Sequence, residues 1–458
     1  MTQSSNPRRA RGASFKLTAA LVCGVALGAL GALSLAAPAT AEGPAKARPS
    51  AEPLITGGKP QRLIVNPTED PSRGFAVTWR MEAGAGKGLV EYAEATPGPA
   101  FEDAVQTVMA DSEVMQYVPR NGGPVSATAH SAIVQGLKPE TLYVYRVGDG
   151  RTFSAWRQIR TAAATAKPFS FLYFGDVQNE VESHGSRVMR MARRLAPDAA
   201  LALYAGDLIN RSDADREWGE WFDMAPDLHA ELLTLPSPGN HEYGPQIEGR
   251  PSLAPQWRQQ FTLPRNGPPG VAALSETVYQ VDYQGVRFLS LDADAISDFP
   301  DLADATLKWL EARLTDNPNL WTVVFLHYPI YSTAKGRDNA ELRAALEPVL
   351  QKHGVDLVLQ GHDHTYARGR KGAPVYVVSV AGPKQYVGGE RDWASRKATG
   401  VQLFQAIGVD GAELTYRAYT ATGALYDAFR LSKPAPGKPA RLIDLAPKSA
   451  ELDLKRAP

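Results

Sequence analysis

Five times between residues 171 and 364, a short apolar run ends in a residue type that binds metal ions, and no other feature of the chain constrains its fold as much. The runs are Phe171-Leu172-Tyr173-Phe174-Gly175-Asp176, Leu201-Ala202-Leu203-Tyr204-Ala205-Gly206-Asp207, Leu232 through Gly239-Asn240-His241, Val323-Val324-Phe325-Leu326-His327, and Leu357-Val358-Leu359-Gln360-Gly361-His362-Asp363-His364. Strand followed by ligand is the repeating unit. In open α/β sheets the carboxyl ends of adjacent strands converge on one crevice, so side chains far apart in sequence can surround a single site. A glycine just before the ligand lets the backbone turn sharply and approach closely.

The surrounding pattern agrees. From residue 168 to 430, apolar strands alternate with helical segments, the signature of an α/β layer fold. Leu307, Leu310 and Leu314 share one helical face, as do Leu342, Leu346, Val349 and Leu350. Residues 55–162 read instead as short alternating strands broken by turn residues, including Gly74 to Trp79, Gly88 to Tyr92, His130 to Val134 and Thr141 to Val147, which suggests an all-β sandwich. The tail, 431–458, is rich in Pro, Lys and Ala and is expected to be loosely held or disordered.

At the other end, Arg8, Arg9, Arg11 and Lys16 precede an uncharged run that closes on Ala39-Thr40-Ala41. That is the form of a cleaved signal peptide over 1–41, followed by a linker over 42–54, and it predicts an exported protein, periplasmic or secreted, without a stable membrane anchor. The sole cysteine, Cys23, falls inside the leader, so a mature chain has neither disulfides nor thiolate ligands. The chain has 49 basic and 49 acidic residues; four of the basic ones and none of the acidic ones precede Glu42, leaving a mature net charge of −4. Nothing in that balance calls for a nucleic-acid partner.

The ligand inventory of the second domain is two carboxylates, an amide oxygen and three imidazoles: Asp176, Asp207, Asn240, His327, His362 and His364. Oxygen and nitrogen donors in that mixture suit Fe, Zn, Mn or Co better than Ca or Mg alone. Six ligands are too many for one tetrahedral ion. Two ions roughly 3.5–4 Å apart, sharing Asp207 as a bridge, would distribute them and hold a hydroxide nucleophile between them. By the period of two along a strand, His362 and His364 would project to the same side.

These motifs, in this order, resemble the calcineurin-like metallophosphoesterases. Over 55–430 the chain is similar to the purple acid phosphatases with their fibronectin type III-like N-terminal domain. The likeness rests on Val77-Thr78-Trp79, Gly136 through Tyr145, Gly239-Asn240-His241-Glu242, Val281 through Phe288, His327-Tyr328-Pro329 and Gly361 through Arg368. It implies an α/β (α+β) four-layer catalytic sandwich of two β-sheets flanked by helices, preceded by the all-β sandwich. It implies that Asp176, Asp207 and His364 hold one transition-metal ion and that Asp207, Asn240, His327 and His362 hold the other, with Asp207 and His241 as catalytic residues and His241 facing the phosphate. The activity implied is hydrolysis of small-molecule phosphate monoesters by a metal-bridging hydroxide; phosphodiesterase action on nucleotides or glycerophospho compounds is the alternative. A non-catalytic surface-binding protein is the alternative from another class.

Two positions depart from the family pattern. Purple enzymes have a tyrosine where this chain has Asn210, so the iron-to-tyrosine colour is not expected. Many other members have a histidine where this chain has Gln178. Both residues are candidates either for metal ligation or for hydrogen-bonding to the ligands. Tyr243, Arg211 and His184 are candidate substrate contacts; the pocket wall is expected from Pro245 to Ser275 and from the loop after Tyr331.

Overall fold

The computed structural model describes residues 58–119, 122–247 and 250–454. The leader over 1–41 and the linker over 42–54 expected at the start of the chain lie outside the described residues. Among the described residues, no helix is long and apolar enough to cross a membrane.

The expected all-β unit is a pair of four-stranded antiparallel sheets. One has the order Gln61–Pro67, Gly74–Glu82, Val125–Gln135, Asp111–Tyr117; the other has Gln106–Met109, Leu89–Glu94, Leu142–Gly148, Arg157–Arg160. Beyond it lie two larger sheets. In the first, three parallel strands, Leu233–Ser237, Ala199–Ala205 and Phe169–Phe174, continue into the antiparallel run Leu403–Asp410, Glu413–Thr420, Leu425–Ser432, Arg441–Asp444. In the second, Val286–Ser290, Trp321–Leu326, Leu357–Gln360 and Val375–Val378 are parallel, with antiparallel strands to either side.

Strands buried on both faces must be apolar at every position, and their alternate side chains serve different layers. Val323 and Phe325 face the partner sheet with Leu357 and Leu359. Val324, Leu326 and Val358 face the other way, onto helices Pro300–Thr315 and Ala340–Lys352 through Leu310, Leu314, Leu342, Leu346 and Leu350. Phe171 of the first sheet meets Phe288 of the second edge-on, 5.2 Å between centroids. Helix Ser186–Leu195 covers the first sheet with Val188, Met189 and Ala192. Helix, sheet, sheet and helix make the four layers that the family resemblance implied.

The β-sandwich does not hang from this body by a linker. Its Ile64, Val65, Phe75 and Tyr145 share one continuous apolar core with Leu233, Leu235 and Trp257. Polar ties reinforce it. The Asn66 amide donates to the Thr234 carbonyl (2.8 Å), and Arg62 and Arg80 both donate to the carboxylate of Asp215 at 2.8 and 2.7 Å, all three side chains buried.

The tail is a correction. Rather than being loose, Arg441–Asp444 extends the first sheet, and Leu452–Asp453 pairs with Ala394–Thr399 at the edge of the second. Just before them, Lys433 Nζ forms a buried ion pair with Asp356 at 2.7 Å. Short edge strands are ordered mainly by backbone hydrogen bonds to a strand already in place, and Pro- and Lys-rich composition does not reveal that partner.

Candidate metal centre

All five strand ends converge where the parallel portions of the two sheets meet. Asp176 follows Phe169–Phe174, Asp207 follows Ala199–Ala205, Asn240 follows Leu233–Ser237, His327 follows Trp321–Leu326, and His362 and His364 follow Leu357–Gln360. Two groups of candidate ligands result, Asp176, Asp207 and His364 in one and Asp207, His327 and His362 in the other, with ligand atoms in each group within 4.8 Å of one another. Asp207 belongs to both. Asn240 Oδ1 joins the second group, 3.1 Å from His327 Nε2.

The two histidines of Gly361-His362-Asp363-His364 do not project by strand alternation, as expected from their spacing. The strand ends at Gln360, and both residues adopt the left-handed region, φ 70° at His362 and 46° at His364. Non-glycine residues there are uncommon and carry strain of about 1–3 kcal/mol each when the surroundings enforce them. That turn sends the two rings into different groups. Asp207 is held likewise, at φ 51°. The preceding glycines are needed for space: a Cβ at Gly361 would lie 2.7 Å from Asp176 Oδ2, and one at Gly239 would lie 2.4 Å from Asp207 Oδ1.

Backbone carbonyls fix the imidazole tautomers. His327 Nδ1–H donates to the Ala205 carbonyl at 2.8 Å and His364 Nδ1–H to the Lys384 carbonyl at 2.9 Å, leaving each Nε2 lone pair turned inward. Metal-ligating histidines are oriented in this way. His327 Nε2 then lies 3.2 Å from both Asp207 Oδ1 and His362 Nδ1. Asp176 Oδ2 accepts the His362 backbone N–H at 2.7 Å, while its Oδ1 is buried without a hydrogen-bond partner.

The electrostatics of the donor set point the same way. Burial, with Asp207 adding repulsion, pushes Asp176 up to about 7. Burial works against the charge on His327, yet Asp207 outweighs it and raises the imidazole to about 10; Asp207 itself, despite burial, is held well below the carboxylate range by His327. Burial depresses His364 to about 4, and burial and His327 together depress His362 to about 2. Two cations would let both carboxylates ionise and all three rings stay neutral, which fits a dinuclear centre.

Of the remaining candidates, His241 faces the centre. Its Nδ1–H donates to the Asn210 carbonyl at 2.6 Å, and its Nε2 lies 3.8 Å from Asp207 Oδ2, with the side chain 25% exposed. Asn210 thus acts through its main chain, which holds this ring. Gln178 is fully buried beside the centre, its amide Nε2 2.5 Å from Asp207 Oδ2. Tyr243 donates to Asp292 at 2.8 Å, Arg211 is paired with Glu217, and the His184 ring is turned to Ser183 and Glu180. The loop after Tyr331 is pinned to the site, because the buried Asp363 turns away from the ligands and accepts from Ser332 Oγ, from the Ala334 backbone and, through Oδ1, from Arg337.

Glu242 is the positioning residue that the motif contained without revealing its role. Its carboxylate accepts the backbone N–H groups of Asp207 (2.9 Å), Leu208 (2.8 Å) and Gly239 (2.7 Å), stitching two ligand loops together. Burial, then the Asp207 charge, raises it to about 8. Glu242→Gln replaces one acceptor oxygen with an amino group facing those donors. It is expected to weaken metal affinity roughly tenfold to a hundredfold, as read by competition with a chelator.

Comparison with known proteins places this geometry. The calcineurin-like phosphoesterase family matches residues 169–366, and the purple acid phosphatase N-terminal domain matches residues 60–161. An uncharacterized protein of Mycobacterium tuberculosis is 28% identical over 270 residues, covering 52% of this chain and 50% of that protein. Purple acid phosphatase 23 of Arabidopsis thaliana is 23% identical, covering 53% of this chain and 58% of its own length. The chain therefore spans about half the length of these curated relatives. A purple acid phosphatase from yellow lupin (Lupinus luteus) seeds has the same fold, with a TM-score of 0.67 at 16% identity over 82% of this chain and 74% of that one. With the five strand-end motifs, the two convergent ligand groups and both domain matches in agreement, the chain carries a calcineurin-like phosphoesterase domain over residues 169–366 and a purple acid phosphatase N-terminal domain over residues 60–161.

Proposed function

We propose that the protein is an exported hydrolase of phosphate monoesters that uses two transition-metal ions, Fe, Zn or Mn. The observation that carries this reading is the sharing of Asp207 between two carboxylate–imidazole groups. Asp176, Asp207 and His364 would hold one ion, and Asp207, Asn240, His327 and His362 the other. When bound, such a pair supplies Lewis acidity toward the phosphoryl oxygens and lowers the pKa of water to make a nucleophile.

The chain's own residues prepare that chemistry. The Ala205 and Lys384 carbonyls keep two imidazoles in the tautomer that presents Nε2. Glu242 and the glycines before the ligands hold the Asp207 loop against the Asn240 loop. His241 stays tied through Nδ1 to Asn210, so its protonated Nε2 can deliver a proton to the departing alcohol oxygen without the ring turning. Export rests on the basic, apolar and Ala39-Thr40-Ala41 pattern of the leader.

The test is elemental analysis of purified protein together with hydrolysis of p-nitrophenyl phosphate before and after chelation. About two ions per chain and chelator-sensitive turnover are expected. No bound metal and no turnover after reconstitution with Fe, Zn, Mn or Co would instead favour a binding protein built on the same fold.

A further inference from the structure

One cation at the mouth of the centre has no role in the foregoing. Lys384 lies on the segment after strand Val375–Val378, half-buried, beside the ligand group of Asp176 and His364. Its Nζ donates to Gln178 Oε1 at 3.2 Å and sits 5.5 Å from the Tyr386 ring centroid; the Tyr386 ring in turn lies 4.5 Å from that of His364. The same Gln178 amide presents Nε2 to Asp207 Oδ2 at 2.5 Å.

This orientation of the amide is the one that both neighbours require. Turned over, it would set its oxygen against a carboxylate and its amino group against an ammonium. Gln178 is therefore a rigid spacer between Asp207 and Lys384. An amide is roughly 2.2 Å from oxygen to nitrogen, so the ammonium lies within roughly 8 Å of Asp207 Oδ2, close enough for a phosphoryl group at the centre to reach both. Arg337, whose guanidinium lies 4.8 Å from the Tyr386 ring centroid, is already engaged by the His362 carbonyl and by Asp363. Lys384 has only neutral acceptors: among the described residues the structure gives it no ion pair. A half-buried ammonium beside the candidate ligand group and without a carboxylate partner is matched to an anion that arrives from solution.

We infer that Lys384 binds a non-bridging oxygen of the substrate phosphoryl group, that Gln178 positions it, and that the pair favours a dianionic monoester over a monoanionic diester. This rests on the phosphoesterase reading above. A charge-assisted hydrogen bond contributes about 1.5–3 kcal/mol, equivalent to roughly tenfold to a hundredfold. Lys384→Met should accordingly reduce kcat/KM for p-nitrophenyl phosphate by about 10- to 100-fold, and raise the Kd of the metal-loaded protein for orthophosphate, measured calorimetrically, by about tenfold or more. Turnover of bis(p-nitrophenyl) phosphate should change far less, metal content should be unaltered, and Lys384→Arg should restore most of the orthophosphate affinity. An active wild type with Lys384→Met unchanged in orthophosphate affinity and in the monoester-to-diester ratio would overturn the inference alone. A metal-loaded wild type that hydrolyses neither ester and binds no orthophosphate would overturn it together with the phosphoesterase reading.

Discussion

Replacing Asp207 by alanine is expected to lower kcat on p-nitrophenyl phosphate by at least about a thousandfold and to strip both ions from the purified protein. The magnitude follows from the several kcal/mol of charge stabilisation a metal ion supplies, since about 4 kcal/mol corresponds to roughly 10³ in rate. The loss should be double because Asp207 is the one residue common to the two ligand groups. Asp176→Ala makes the contrast: it removes a donor from one group and leaves Asp207, Asn240, His327 and His362 intact, so elemental analysis should recover close to one ion per chain. Full activity in metal-loaded Asp207→Ala would mean that the shared carboxylate does not organise the chemistry.

The second large effect is on stability and lies well away from the centre. Asp215 stands between the guanidinium groups of Arg62 and Arg80 and also accepts the Tyr117 hydroxyl at 3.2 Å. Burial alone would raise its carboxyl, but the two guanidinium groups prevail and hold it below the usual range. Asp215→Ala leaves two buried cations facing each other without a counter-charge. Breaking a buried ion pair from one side costs about 3–5 kcal/mol, and the urea midpoint should fall accordingly. Asp304→Ala, which removes an exposed partner from Lys308, should leave the midpoint unchanged. Equal midpoints for the two variants would show that water, not Asp215, neutralises the two arginines.

The six candidate ligands were legible in the sequence because each sits where an apolar run stops, and a run of that length has few ways to end other than at the rim of a sheet. The alternation of apolar strands with helical segments made an α/β layer fold legible, whereas the order of two sheets between helices came only with the family resemblance; Val323 to Leu326 and Leu357 to Leu359, apolar at every position, fit strands covered on both faces. What the pattern misjudged was direction. His362 and His364 are two apart, yet positive φ at both breaks the alternation that spacing alone implies. Glu242 and Asp363 lie inside recognised motifs, but their partners are backbone N–H groups and a loop hydroxyl that no spacing rule identifies. Lys384 is less legible still, since it lies 20 residues beyond His364 in a segment with no motif and reaches Gln178 only through the fold. The tail strands escaped notice because their order comes from the edges they join.

The core that runs unbroken from the β-sandwich into the first sheet also sets how this gene can be cut and recombined. A chain severed between Thr161 and Phe169 would bare apolar faces on both products, Ile64, Val65 and Tyr145 on one and Leu233, Leu235 and Trp257 on the other, together with the unmatched charges of Arg62, Arg80 and Asp215. The two parts are thus expected to fold as a unit. A sandwich borrowed from a relative would have to bring its half of that seam with it, so the sandwich is less an interchangeable module than a fixed wall of the catalytic body.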